Sequence, residues 1–459
     1  MKRPNRPGFG FTLVEVLVAT VLTLMLMAAV TTMFGRMGQG IEASRSVLES
    51  ADRQRAAALR LQRDLEGLTV TMSPPRRPEA NEGYFELIEG PIGPDAPPWQ
   101  VAVKPDPSNP ANYVPDTTVG DFDDVLMFTT RSVTGRPFVG RLAGGVLQSD
   151  VAEVAWFVRG RTLYRRQLLV AASAPVAGFS PQGFYAYNDL SVRRLGNNTL
   201  VANTLGDLTR RECRFAHDVR NGLLPLPVVA GGSFPFDVRG WGQLGLPTLR
   251  ECSSSQWIAG DTSALNQVPQ PSNQFDLWTN SLALPQRPHP WQGVDPETGT
   301  MLAYQDGQRL TEDVILTNVI GFDVKVWDSG AGQYVDLGYA RMPYQAYAQG
   351  TTTAFGHLGH PASRLVAGQR QARVYDTWSL HYEYDGYDQS LSTNGSGPVD
   401  EGFNGFDDDG NGVIDDPDER ETAPPYPSPL RGIQVRIRAF EPSSRQVREL
   451  TVVQDFLPR

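Results

Sequence analysis

The residues best placed to do chemistry fall into three groups. The first is Glu15, the one charged side chain in residues 11–34, a run of 24 residues. A carboxylate in such apolar surroundings costs roughly 3 kcal/mol near the centre of a bilayer and needs a partner. A cut between Gly10 and Phe11 would supply one. Phe11 would then carry an α-amino group, and Glu15 would lie four residues on, along the same helical face. The carboxylate can meet that amine or the amine of an adjacent subunit.

The second group is the acidic segment 407–418, DDDGNGVIDDPD. Asp407, Asp409 and Asn411 stand at positions one, three and five of a twelve-residue calcium loop, and Gly412 at position six, where a sharp turn requires positive φ. Val413 offers a backbone carbonyl at seven, Ile414 is the apolar eighth residue, Asp415 is ninth and Asp418 twelfth. Hard oxygen ligands at this alternating spacing suit structural Ca²⁺, and the segment is similar to EF-hand-type loops such as those of dockerins. Asp418 is a shorter arm than the usual bidentate Glu, and Pro417 argues against a normal exiting helix. A solvated acidic turn between strands is the competing reading.

The third group carries weaker signals. His357 and His360 form an HxxH pair without a convincing third ligand, so an exposed loop is expected. Cys213 and Cys252 are the only cysteines, and in an oxidising compartment a disulfide between them is expected, with two buried free thiols as the alternative. The carboxylates in 376–388 resemble a glycosidase pair in type only. Period-2 aromatics with acids between them read as a strand and its turn.

Composition removes several classes. None of the three lysines, Lys2, Lys104 and Lys325, sits in GxxxxGK[ST], and neither HExxH nor GxSxG occurs. The net charge of −10 opposes a general nucleic-acid binder. Residues 400–421 hold ten acids and one base, so nearly all of that charge belongs to one segment and not to the surface as a whole.

The elements that position these residues follow from periodicity. Residues 1–10 carry Lys2, Arg3 and Arg6 and no acid. This basic flank should stay cytoplasmic, with the rest of the chain across the membrane. Residues 11–34 span about 36 Å as a helix, enough for a bilayer core and too long for a cleaved secretory signal. Over 41–68 the positions Ile41, Leu48, Ala51, Ala58, Leu61, Leu65 and Leu68 form one apolar face among arginines and Asp64, predicting a continuous amphipathic helix to about residue 70. Gly35, Gly38 and Gly40 predict melting or a kink at the membrane exit, and Pro74 and Pro75 an end. Beyond it, 124–133, 151–158, 162–170, 313–328, 374–384, 432–440 and 446–456 read as strands, with a hairpin turn at 159–161. The fold class is α+β, one long helix followed by antiparallel sheet.

The hexapeptide Gly10-Phe11-Thr12-Leu13-Val14-Glu15 resembles the class III signal of type IV pilins and type II secretion pseudopilins. That resemblance implies cleavage after Gly10 by a membrane prepilin peptidase, N-methylation of Phe11, and registration of subunits by Glu15 against a neighbour's amino terminus. The blocks SDVAEVAWFVRGRTLYRRQ and RLTEDVILTNVIGFDVKVWD, with the terminal hairpin, are similar to J-type minor pseudopilins and the related W-type minor pilins. The matching blocks cover 1–70, 124–170, 309–328 and 428–457, under half of the chain. The resemblance implies a pilin-like body: leader 1–10, filament-core helix 11–34, its amphipathic continuation 35–70, and a β-rich extracytoplasmic domain 71–459. Insertions occupy 172–308 and 330–425, and they read equally as loops, an accessory lobe or a partner surface. The implied function is non-enzymatic: a minor subunit at filament initiation or the tip, in the inner membrane with its body in the periplasm. Its partners would be other minor and major pilins, the peptidase and membrane lipid, with no nucleic acid. A signal-anchored extracytoplasmic binding or adhesion protein is the alternative.

Overall fold

The structure is a computed structural model. It describes residues 12–74, 76–88, 103–106, 109–115, 124–176, 178–179, 184–195, 199–210, 213–215, 246, 248–253, 295, 297–300, 307–328, 332–335, 337, 374–377, 406–407, 410–414 and 429–456.

Helix α1 covers Leu13–Glu66, 54 residues and about 81 Å. It runs unbroken through Gly35, Gly38 and Gly40, so the expected kink is absent. A Cβ at any of the three would meet nothing within 4 Å, so these glycines are not required by a close neighbour. The helix ends at Gly67, before the prolines, because the chain there turns onto a strand.

Six antiparallel strands form the main sheet. In chain order these include β1 (Phe85–Ile88), and, after a small hairpin of β2 (Val103–Asp106) and β3 (Asn109–Pro115), β4 (Val125–Arg131). A second hairpin, β5 (Phe138–Leu142) and β6 (Gly145–Ser149), precedes β7 (Val151–Arg159) and β8 (Thr162–Leu169). The predicted β7–β8 turn is present, with Gly160 at φ +57°. Helix α2 (Phe184–Tyr187), the hairpin β9 (Val192–Leu195) and β10 (Thr199–Ala202), α3 (Leu205–Thr209) and α4 (Leu249–Cys252) follow. Then come β11 (Val314–Thr317), β12 (Val319–Asp328), β13 (Gln333–Val335), β14 (Val374–Asp376), β15 (Gly432–Glu441) and β16 (Gln446–Asp455). The main sheet has the order β11-β8-β7-β4-β1-β14, and a four-stranded sheet the order β13-β12-β15-β16.

The apolar run 313–328 is therefore two strands in two sheets. Asn318, at φ +58°, breaks it, and β11 joins the main sheet while β12 pairs with β15. Asn tolerates this left-handed backbone better than the β-branched residues around it.

Both faces of the main sheet are covered, which explains why β4 and β7 read as almost continuous apolar runs. One face sends Leu126, Phe128 and Trp156 against Leu61 and Leu65 of α1 and against Phe322, Val435 and Ile437 of the smaller sheet. The opposite face sends Met127, Phe157 and Tyr164 against Phe184, Tyr185, Leu208 and Phe215. The described part of 172–308 is thus a packed accessory layer with its own core.

Candidate functional site

The two halves of α1 have different fates. From Leu13 to Gly38 it is a 26-residue stretch whose most apolar 18 residues have a mean hydropathy of 2.5, and all of it is exposed. Ile41 and Leu48 also stand exposed, so the amphipathic face predicted over 41–68 is covered only in its second part. There Ala57, Ala58, Leu61 and Leu65 are buried.

Glu15 sits in the first turn. Thr12 caps the helix: its hydroxyl accepts from the Glu15 backbone N–H at 3.3 Å, while its own backbone N–H and Oγ1 each donate to Glu15 Oε2 at 2.9 Å. This reciprocal capping box holds the carboxylate at the mouth of the helix, where the macrodipole favours negative charge. The hydroxyls of Thr20, Thr23, Thr31 and Thr32 donate to carbonyls three or four residues back. Each of these four hydroxyls is thus satisfied within the helix, as hydrocarbon requires. Gly10 and Phe11 lie outside the described residues.

The docked half is fixed by a charge that the sequence placed among solvent-facing residues. Asp64 is buried and accepts from Arg165 Nε at 2.6 Å, Arg165 Nη2 at 2.8 Å and Trp156 Nε1 at 3.0 Å. Thr130 Oγ1 donates to the Asp64 carbonyl at 2.6 Å. The bidentate fork fixes the rotation of α1 on the sheet. No spacing in the sequence pointed toward it, since Trp156 and Arg165 lie 92 and 101 residues away.

The accessory layer is held in a similar way. Arg214 is fully buried between Glu86 at 2.8 Å and Asp376 at 2.7 Å, with its guanidinium 3.9 Å from the Tyr84 ring centre. Burial alone would lower its pKa, and Asp376 and Glu86 more than offset this and hold it above its ordinary value. Asp376 is therefore structural. Tyr84 donates to Glu153 at 2.8 Å, Ser191 donates to the same carboxylate at 2.6 Å, and Arg159 meets Glu251 at 2.8 Å. These carboxylates are engaged by protein donors inside the fold and do not form a paired acid and base open to a substrate.

Cys213 and Cys252 are both buried and not bridged to each other, so the expected disulfide is corrected to its alternative, two buried thiols. Cys252 is packed in the layer core, with Arg166 Nη2 3.9 Å from its sulfur, and burial pushes its thiol pKa up to about 12. Its neighbours there are side chains of the accessory layer and the sheet, and packing satisfies it without a bridge.

Part of the acidic loop is described. Asp407 accepts from the backbone N–H groups of Asn411 at 3.0 Å and Gly412 at 2.8 Å, and Asn411 Oδ1 accepts from Val413 N–H at 2.8 Å. Gly412 has φ +91°. Asp409, Asp415 and Asp418 lie outside the described residues, as do His357 and His360. Among the described residues no three His, Cys, Asp or Glu side chains are grouped to hold a metal.

No family model, no curated protein and no solved structure matches the chain.

Proposed function

We propose that the chain is a minor subunit of a type IV pilus or type II secretion filament, J-type or W-type in kind, acting in initiation or at the tip. The observation that carries this is the exposed stretch Leu13–Gly38, which is apolar and covered by nothing in its own fold. A Leu side chain gains roughly 1.5–3 kcal/mol on burial, so Leu17, Leu22, Leu24 and Leu26 supply a strong drive toward lipid or neighbouring apolar helices. The capping box adds direction. Both Thr12 donors use Oε2 of Glu15, which leaves Oε1 to face the amino group that cleavage after Gly10 would create on a neighbouring subunit. In this reading residues 11–34 lie in the inner membrane before assembly, the body stands in the periplasm, and the partners are other minor and major pilins and the prepilin peptidase.

Amino-terminal mass spectrometry of protein from cells tests the reading, and a chain starting at methylated Phe11 is the expected result. Glu15→Ala should leave membrane insertion intact and abolish co-isolation with filaments. An intact chain starting at Met1 in cells with active peptidase would overturn it.

Calcium belongs to the same proposal as a structural ion, held by Asp407, Asp409, Asn411, the Val413 carbonyl, Asp415 and Asp418. The positive φ of Gly412 and the Asp407 acceptor pattern support it. Calorimetry with and without a chelator tests it; melting curves that superimpose would remove the ion from the account.

A further inference from the structure

A cleft of about 320 Å³ opens where the docked end of α1 meets the loop leaving β4. Arg60 and Arg63 line it from the helix, and Arg131 and Arg136 from the strand end and loop. Ser132, Thr134 and Gln167 add polar groups. All four arginines are exposed, and among the described residues none of them is in an ion pair. Among the described residues the one acid at the cleft, Asp64, is committed to Arg165 and Trp156. Among the described residues, positive charge is therefore gathered here without a counter-ion of its own. Arg60 registers the crowding: lost hydration and then Arg165 hold its pKa below the usual value, with Asp64 opposing and Arg63 adding to the effect. It stays protonated.

The backbone of both walls is tied by hydrogen bonds. Arg131 N–H donates to the Gly67 carbonyl at 2.7 Å, Thr130 Oγ1 to the Asp64 carbonyl at 2.6 Å, Ser132 N–H to the Asp150 carbonyl at 2.9 Å, and Ser132 Oγ to the Arg136 carbonyl at 2.5 Å. Arg60 also donates to Gln167 at 3.4 Å. These bonds hold both walls in place before anything binds, which reduces the ordering cost of a ligand.

We propose that this cleft binds a compact phosphate-type dianion, either free phosphate or a phosphomonoester. Planar guanidiniums match the oxygens of such a group in pairs, and hydroxyl and amide groups complete its shell. The volume suits a small oxyanion and leaves no room for a duplex. A bilayer headgroup is out of reach of an upright helix, because Arg60 lies 22 residues past Gly38, about 33 Å along the axis. The proposal stands apart from the filament reading, since it needs only the docked part of α1.

Isothermal titration of the full chain in detergent micelles tests it, with inorganic phosphate, glycerol 3-phosphate, acetate and a hexa-aspartate peptide at matched ionic strength. Saturable one-to-one phosphate binding at a Kd of about 1 mM or tighter is expected. Glycerol 3-phosphate binding equally well identifies a phosphomonoester as an acceptable source, and its failure beside successful phosphate restricts the site to the free ion. Acetate should not bind. Arg60→Gln with Arg131→Gln should weaken phosphate at least about tenfold, as should the separate pair Arg63→Gln with Arg136→Gln, while Arg55→Gln on the same helix should leave it unchanged. No saturable phosphate binding, unchanged affinity in both folded double variants, or binding of the peptide alone would overturn the proposal; the last result would make the cleft a protein-docking surface.

Discussion

Asp64→Asn should detach the docked half of α1 from the sheet. The substitution keeps the volume and leaves an oxygen to accept from Trp156, but it removes the charge opposite Arg165 Nε and Nη2, at 2.6 and 2.8 Å. Arg165 would retain Gln167 through Nη1 at 2.9 Å, which is neutral. Both side chains of the pair are almost completely buried, 4% and 3% exposed, so water cannot replace the lost carboxylate. Removing one partner of a buried pair costs about 3–5 kcal/mol, which for a body of this size corresponds to a drop of roughly 6–20 °C in Tm. Urea unfolding of the full chain in micelles, followed by circular dichroism and tryptophan fluorescence, reads the loss. Asp64→Leu combined with Arg165→Met should recover much of it, because the desolvation of both charges disappears together. A loss below about 1 kcal/mol in Asp64→Asn, or a double variant as weak as the sum of its parts, would refute the reasoning.

Leu61→Ala should cost about 2–5 kcal/mol, whereas Leu48→Ala should stay within about 0.5 kcal/mol in the same unfolding assay, since Leu61 is buried and Leu48 exposed on one helix. Gly67→Ala places a Cβ 2.0 Å from the Arg131 carbonyl oxygen, and the clash with backbone should lower stability by roughly 1–3 kcal/mol, read by the shift of the urea midpoint. Cys252 should resist thiol reagents at pH 8 in the folded chain and react in denaturant, as its thiol is buried and neutral. Because its folded pKa is raised to about 12, the unfolded chain loses that proton first, and stability should fall as pH rises from about 9 toward 12; a Cys252→Ala variant should show a shallower fall.

Periodicity and composition determined the long helix, its apolar first half, the β7–β8 hairpin with its glycine turn, and the terminal hairpin of β15 and β16, because each is a local pattern that any tertiary context must respect. The acid at the head of α1 was equally legible as a local feature, whereas its capping bonds with Thr12 came from the structure. Only the tertiary structure decided how far along α1 the sheet reaches, and so why Ile41 and Leu48 stay exposed while Leu61 does not. It also divided 313–328 between two sheets at Asn318, and of the three readings left open for 172–308 it gave the described part as an accessory lobe with a second core on the far face. The same holds for Asp64, Asp376 and the two thiols. An apolar stripe tells that a face must be covered, but the burial of a charge depends on a counter-ion supplied from another part of the chain, such as Arg165 for Asp64 and Arg214 for Asp376, and sequence spacing carries no record of that meeting.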